Sequence, residues 1–377
     1  MKLNSLINSR FKQAGLSIAA SFLFFGLTPL ATTPFVLAQS DQAVAQTAYS
    51  DSELVSSKSV ATGASPVFVA AAPGEALVAN YTANNFQIFN MKNANAPVLL
   101  STTKTGTGSH PDAIIVSGSY AYVADFGNGN NGSQGSSIQV FNISKPTAPV
   151  LLNGTGYFIG YGPDDFQIKS NYLFVTQFGP YANSSVMSII DISNPHSLKL
   201  VRRIAIPAGP NHFEIVGNYM YVIGDLYLQI YDIAGSHLTN PVSEIPGGTT
   251  GYEINYGLTG IAISGSDAYI TVGFQNTLEV FNVSNPAHPS LVNGYGAKTD
   301  SLPVGIVIKG NYEYVISEPS NRLQTFMGLG HPSYRSGVVT QKTPYGIVIN
   351  PTGNYLYVVN YKSDTIQTFS LSNPAKP

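Results

Sequence analysis

Carboxylates and one imidazole recur at a fixed step after a proline. Asp112 follows Pro111, Asp164 and Asp165 follow Pro163, and Asn211 and His212 follow Pro210. Gln167 and Glu214 stand two residues beyond Asp165 and His212, on the same side of an extended chain. If the three segments lie side by side, seven polar groups share one small space. Oxygen donors predominate, which would suit a divalent cation, calcium or magnesium, or a polar organic ligand. His212 would tilt a metal site toward a transition metal. Solvated acids capping strand ends would need no ligand at all.

The positioning elements are legible as repeats. Pro66, Pro111, Pro163, Pro210, Leu258, Pro303 and Pro344 recur at intervals of 41–52 residues. Each opens a segment with apolar residues at alternate positions, such as Phe213 and Ile215 or Ile306 and Ile308, the pattern of a half-buried strand. A second strand follows (ALVANY at 76–81, AYVADF at 121–126, LYVVNY at 356–361), then a third (FQIF at 86–89, IQVF at 138–141, IQTF at 366–369). An Asn/Asp-x-Ser bend with proline ends the third strand, as in FNISKPTAP at 141–149, and an outer strand follows, as in PVLLNG at 149–154. Seven such copies predict an all-β, seven-bladed β-propeller. The seventh copy lacks an outer strand, and residues 53–60 match one. They are expected to complete the last blade, closing the ring and removing free edges.

In that architecture the inner-strand starts open at the mouth of the central channel, on the face with loops of variable length. Blades 2 to 4 bring Asp112, Asp164, Asp165, Gln167, Asn211, His212 and Glu214 there, whereas blades 5 to 7 bring Gly260, Gly305 and Gly346. Tyr157, Phe158, Tyr161, Tyr252, Tyr256 and Tyr295 fall in segments read as blade-to-blade links. There their rings would stack on sugars, anchor a protein partner, or fill gaps between blades.

The run GSYAYVADFG…SIQVFNISKPTAPVLLNG resembles the LVIVD repeat of exported bacterial and archaeal proteins. PYGIVINPTGNYLYVVNYKSDTIQTFSLS is similar to the YVTN repeat of surface-layer-type propellers. The resemblance spans residues 53–377 and implies a propeller in an extracellular setting. It implies no catalytic residue.

Lys2, Arg10 and Lys12, the apolar stretch Ala14–Leu27 and Val36-Leu37-Ala38 predict a cleaved signal peptide over 1–38. Residues 39–52 form a polar lead-in, and 53–377 the propeller. No further segment is apolar enough to span a bilayer, so the mature chain has no transmembrane segment. It would be secreted or at the cell surface, the periplasm included. Loss of the three N-terminal basic residues leaves 15 Lys+Arg against 20 Asp+Glu, a balance that excludes nucleic-acid binding.

With no cysteine, disulfides, thiolate metal sites and haem attachment are excluded. With no tryptophan, the Trp-Asp signature of one propeller class is absent. No G-x-S-x-G or H-E-x-x-H occurs. The leading expectation is a binding scaffold that presents its variable-loop face to an extracellular protein or glycan, with no cofactor. The alternative is a metal-dependent hydrolase of the propeller lactonase type, with a cation at the channel mouth.

Overall fold

The computed structural model describes residues 58–127, 135–160, 162–179, 185–206, 209–224, 227–234, 240–246, 257–292, 294 and 296–373. The signal peptide, the lead-in and residues 53–57 lie outside them. The described residues form seven antiparallel sheets and no helix, a seven-bladed β-propeller. The inner strands are Pro66–Ala72, Pro111–Ser117, Pro163–Lys169, Pro210–Val216, Leu258–Ser264, Pro303–Lys309 and Pro344–Ile349.

In blade 7 the outer position is held by Lys58–Ala61, antiparallel to Thr365–Ser370, with Lys58 opposite Thr368 and Ala61 opposite Thr365. The pairing strand therefore runs to Ala61 rather than stopping at residue 60. Thr368 Oγ1 also donates to Ala94 O of blade 1, 2.8 Å away, so the ring joint is bonded on both sides.

Local chemistry accounts for the repeating parts. The bend after the third strand is an Asx turn: Asn142 Oδ1 accepts from Ser144 N at 2.9 Å, and Asp191 Oδ1 accepts from Ser193 N at 2.8 Å. The recurrent third-strand glutamine has a use that sequence alone does not announce. Gln87, Gln324 and Gln367 are buried, and their Oε1 atoms accept from the backbone N–H of Gly63, Asp300 and Gln341 in the incoming links. Each glutamine supplies a partner to a link that no strand covers.

Two outer strands are split, which departs from the continuous PVLLNG strand expected. In blade 2, Val150–Leu151 and Tyr157–Phe158 both pair with Ser137–Asn142, and in blade 5, Ser290–Leu291 and Ala297–Lys298 both pair with Thr277–Asn282. Gly154 and Gly156 carry the detour in blade 2 at φ +63 and +92. Asn153 bridges the gap: its Oδ1 accepts from Val140 N at 3.0 Å and its Nδ2 donates to Ile138 O at 2.8 Å. One side chain thereby substitutes for the missing stretch of strand.

The core lies in the interfaces between neighbouring blades. Phe86 of blade 1 meets Phe141 of blade 2 edge-on, with centroids 4.9 Å apart. Tyr231, Tyr269, Tyr314 and Tyr357 are fully enclosed.

Candidate site at the channel mouth

Every inner strand is bulged at its start. The register slips between Pro66 and Phe68, Pro111 and Ala113, Pro163 and Phe166, Pro210 and His212, Leu258 and Gly260, Pro303 and Gly305, and Pro344 and Gly346. A bulge leaves a residue unpaired and re-aims its side chain. The first residue of each bulge is Val67, Asp112, Asp164, Asn211, Thr259, Val304 or Tyr345, and all seven line one cavity of about 610 Å³ at the channel mouth.

The chain enters these bulges through the left-handed region in several blades. Leu302 precedes the blade 6 anchor at φ +52 and lines the cavity. A leucine there carries about 1 kcal/mol of backbone strain.

The cavity is one-sided. A Cβ on Gly260 would sit 3.1 Å from Gly305 Cα, and one on Gly346 would sit 3.0 Å from Val67 O. Blades 5 and 6, and blades 7 and 1, thus leave no room for a side chain at these glycines, while Gly305 packs against the Ile347 side chain of blade 7. The polar side chains of blades 2 to 4 occupy the opposite side of the mouth. Asp112, Asp164, Asp165, Gln167, Asn211, His212 and Glu214 all line the same cavity.

Asp165 is at the centre of this group and is buried. Its Oδ1 accepts from Phe166 N at 2.8 Å. Its Oδ2 accepts from Phe213 N of blade 4 at 3.2 Å and lies 3.3 Å from His212 Nδ1. Asp165 therefore ties blade 3 to blade 4 and orients the His212 ring. Asn211 Nδ2 donates to Leu258 O at 2.9 Å and Thr259 Oγ1 to Pro303 O at 2.6 Å, carrying the same inter-blade tie onward to blades 5 and 6. Gln167 Nε2 donates to Phe213 O at 3.4 Å. Burial, reinforced by the neighbouring Asp165 and partly offset by His212, pushes the Glu214 carboxyl up to about 7.

Both Asp165 oxygens already accept hydrogen bonds, two of them from backbone, and among the described residues no three His, Asp or Glu side chains are placed to share a metal ion.

Sequence reasoning missed part of the lining. Phe274, Glu318, Tyr361 and Lys362 reach the cavity from the turns after second strands, beyond the inner-strand pattern. Tyr345 and Tyr361 stand with ring centroids 6.0 Å apart.

The aromatic surface is corrected in part. Tyr157 and Phe158 belong to the split outer strand of blade 2, not to a blade-to-blade link. Tyr157 is half-buried, its hydroxyl accepts from Leu200 N at 3.2 Å, and it packs on the blade 2–3 core. Phe158 is 62% exposed. Tyr161, Tyr252, Tyr256 and Tyr295 lie outside the described residues.

The LVIVD-repeat family pattern matches residues 109–153, 164–205, 212–244 and 259–296, one match in each of blades 2 to 5. The chain is a seven-bladed β-propeller that carries four LVIVD repeats. No curated protein matches it in sequence. Solved structures similar to this LVIVD-repeat propeller include the mitotic checkpoint complex, at 10% identity over 84% of this chain and 95% of that one, TM-score 0.66. A putative 6-phosphogluconolactonase from Bacteroides fragilis is 15% identical over 86% and 93%, TM-score 0.63. Streptogramin B lyase is 11% identical over 83% and 96%, TM-score 0.59. At such identities the likeness is one of fold, and the fold hosts binders and enzymes alike.

Proposed function

We infer that this LVIVD-repeat propeller is an exported or cell-surface binding protein. It takes part of an extracellular protein or glycan into the channel mouth on its variable-loop face. The single observation that carries the reading is the cavity of about 610 Å³ ringed by all seven bulge residues. Its volume falls in the usual range of ligand pockets, and few polar groups converge among apolar ones. The charged N-terminal start with its apolar run supports the exported setting.

A direct test uses an array of immobilised glycans and short peptides, probed with the wild-type chain and with Val304→Trp. Val304 lines the cavity at a bulge position, so the added indole should narrow the mouth. Binding that the tryptophan removes is the expected result. Binding that persists undiminished would move the function off the channel mouth.

One observation favours a second reading, a hydrolase working by acid–base chemistry. Asp165 orients His212, and Glu214, titrating near neutrality, lines the same cavity. Turnover of a panel of esters and lactones that His212→Ala abolishes would establish it. The lactonase-type form with a bound cation lacks a fitting donor set among the described residues.

A further inference from the structure

We propose that the ligand group admitted to the channel mouth is an organic cation on an apolar body, such as an alkyl- or arylalkyl-ammonium or a guanidinium. This rests on the reading of the cavity as a binding pocket and names its chemical class. The cavity has two unlike walls. Asp112, Asp164, Asp165 and Glu214 contribute carboxyl groups from blades 2 to 4, Glu318 adds one from blade 6, and Lys362 of blade 7 is the one lysine or arginine among the described lining residues. A phosphorylated or carboxylate ligand would meet like charge on that wall. Across the seven-membered ring, blades 7 and 1 face blade 4 and bring Phe68, Tyr345 and Tyr361, all half-buried. Their rings suit the apolar body of such a ligand, while its charge lies toward the acids.

The acids are not equivalent. Asp165 is committed to Phe166 N, Phe213 N and His212, whereas Glu214 lines the cavity with no hydrogen bond from the described protein. Burial and the adjacent Asp165 hold the Glu214 carboxyl near neutrality. A cation beside it would relieve that repulsion, so Glu214 is the group with most to gain from the ligand.

The experiment is calorimetric titration of the full chain with three isosteric probes, 4-phenylbutylammonium, 4-phenylbutanol and 4-phenylbutyrate. The ammonium should bind at least tenfold tighter than the alcohol, and the carboxylate weakest. Glu214→Gln should cost the ammonium about tenfold and leave the alcohol unchanged, with an unaltered melting curve showing that the fold survives. Salt provides a check on the wild type alone: raising sodium chloride should weaken the ammonium and not the alcohol. Equal affinities for the three probes, or ammonium binding indifferent to both Glu214→Gln and salt, would overturn the inference. Should none of the probes bind while Val304→Trp still removes binding on the array, the cation class is wrong and the pocket reading stands. Should the array also show nothing that Val304→Trp removes, both fail.

Discussion

At the scale of single residues, the clearest anomaly is Glu313. It occupies the second-strand position held by Ala76, Ala121, Leu173, Met220, Ala268 and Leu356 in the other blades, and it is completely buried. Neither carboxyl oxygen has a well-formed hydrogen bond, and burial, partly offset by the residue's own backbone N–H, pushes its carboxyl up to about 7 from 4.5. The unfolded chain ionises near pH 4.5 and the folded chain near 7. Folding therefore binds the proton more tightly, and this group's contribution to stability is fully present below pH 4.5 and is lost as pH rises through 7. Replacement with the blade 4 residue, Glu313→Met, should remove this group's share of the dependence, leaving that of Glu214 and Glu279, and raise stability at pH 8 by up to about 3 kcal/mol. Denaturant midpoints at pH 4.5 and pH 8 measure it, and a variant no more stable than wild type at pH 8 would contradict the assignment.

Asp165 carries the opposite prediction. Asp165→Ala strips the buried Phe213 N of its acceptor and should cost about 1–3 kcal/mol in unfolding free energy. Asp165→Asn, which keeps a side-chain carbonyl, should recover most of it. A melting temperature unchanged in Asp165→Ala would mean that the blade 3–4 tie is not made.

At the scale of elements, stability depends on ring closure and on the bulged inner strands. Removing residues 1–63 takes away Lys58–Ala61 and exposes Thr365–Ser370 as a free edge. That chain should melt well below one beginning at Gln39, and equal melting temperatures would dispose of the closure model. The glycines of blades 5 to 7 make a second prediction. Gly305→Ala would bring a methyl within 3.1 Å of Ile347 Cγ2 and 3.3 Å of Ile316, and should destabilise by about 1–3 kcal/mol. Circular dichroism melts measure the change.

This scale also separates what the sequence makes legible from what it does not. The proline anchors, the alternation after them and the Asx bends can be read directly, because each is a local preference. The acids of blades 2 to 4 can be aligned because they keep a fixed distance from the anchor. The bulge cannot be read, since it is defined by two residues facing one on a partner strand. The split outer strand of blade 2 misled the reading of Tyr157 and Phe158, because Gly154 and Gly156 look like a link until their pairing with Ser137–Asn142 is seen. Phe274, Glu318, Tyr361 and Lys362 lie after second strands and reach the mouth only once the ring has closed.

At the scale of the whole molecule, the ring has one side of tight backbone contact and one side lined with acids. The seven repeats are alike in fold and unlike at their bulges, which is where binding chemistry can vary without disturbing the blades. Hydrogen exchange of the full chain, with and without a partner found on the array, tests that view most directly. The account predicts added protection at 163–167 and 210–214, the inner-strand starts of blades 3 and 4, and none at the turns on the opposite face, such as 217–218 and 310–311. Protection confined to outer strands or to the opposite face would contradict a binding site at the channel mouth.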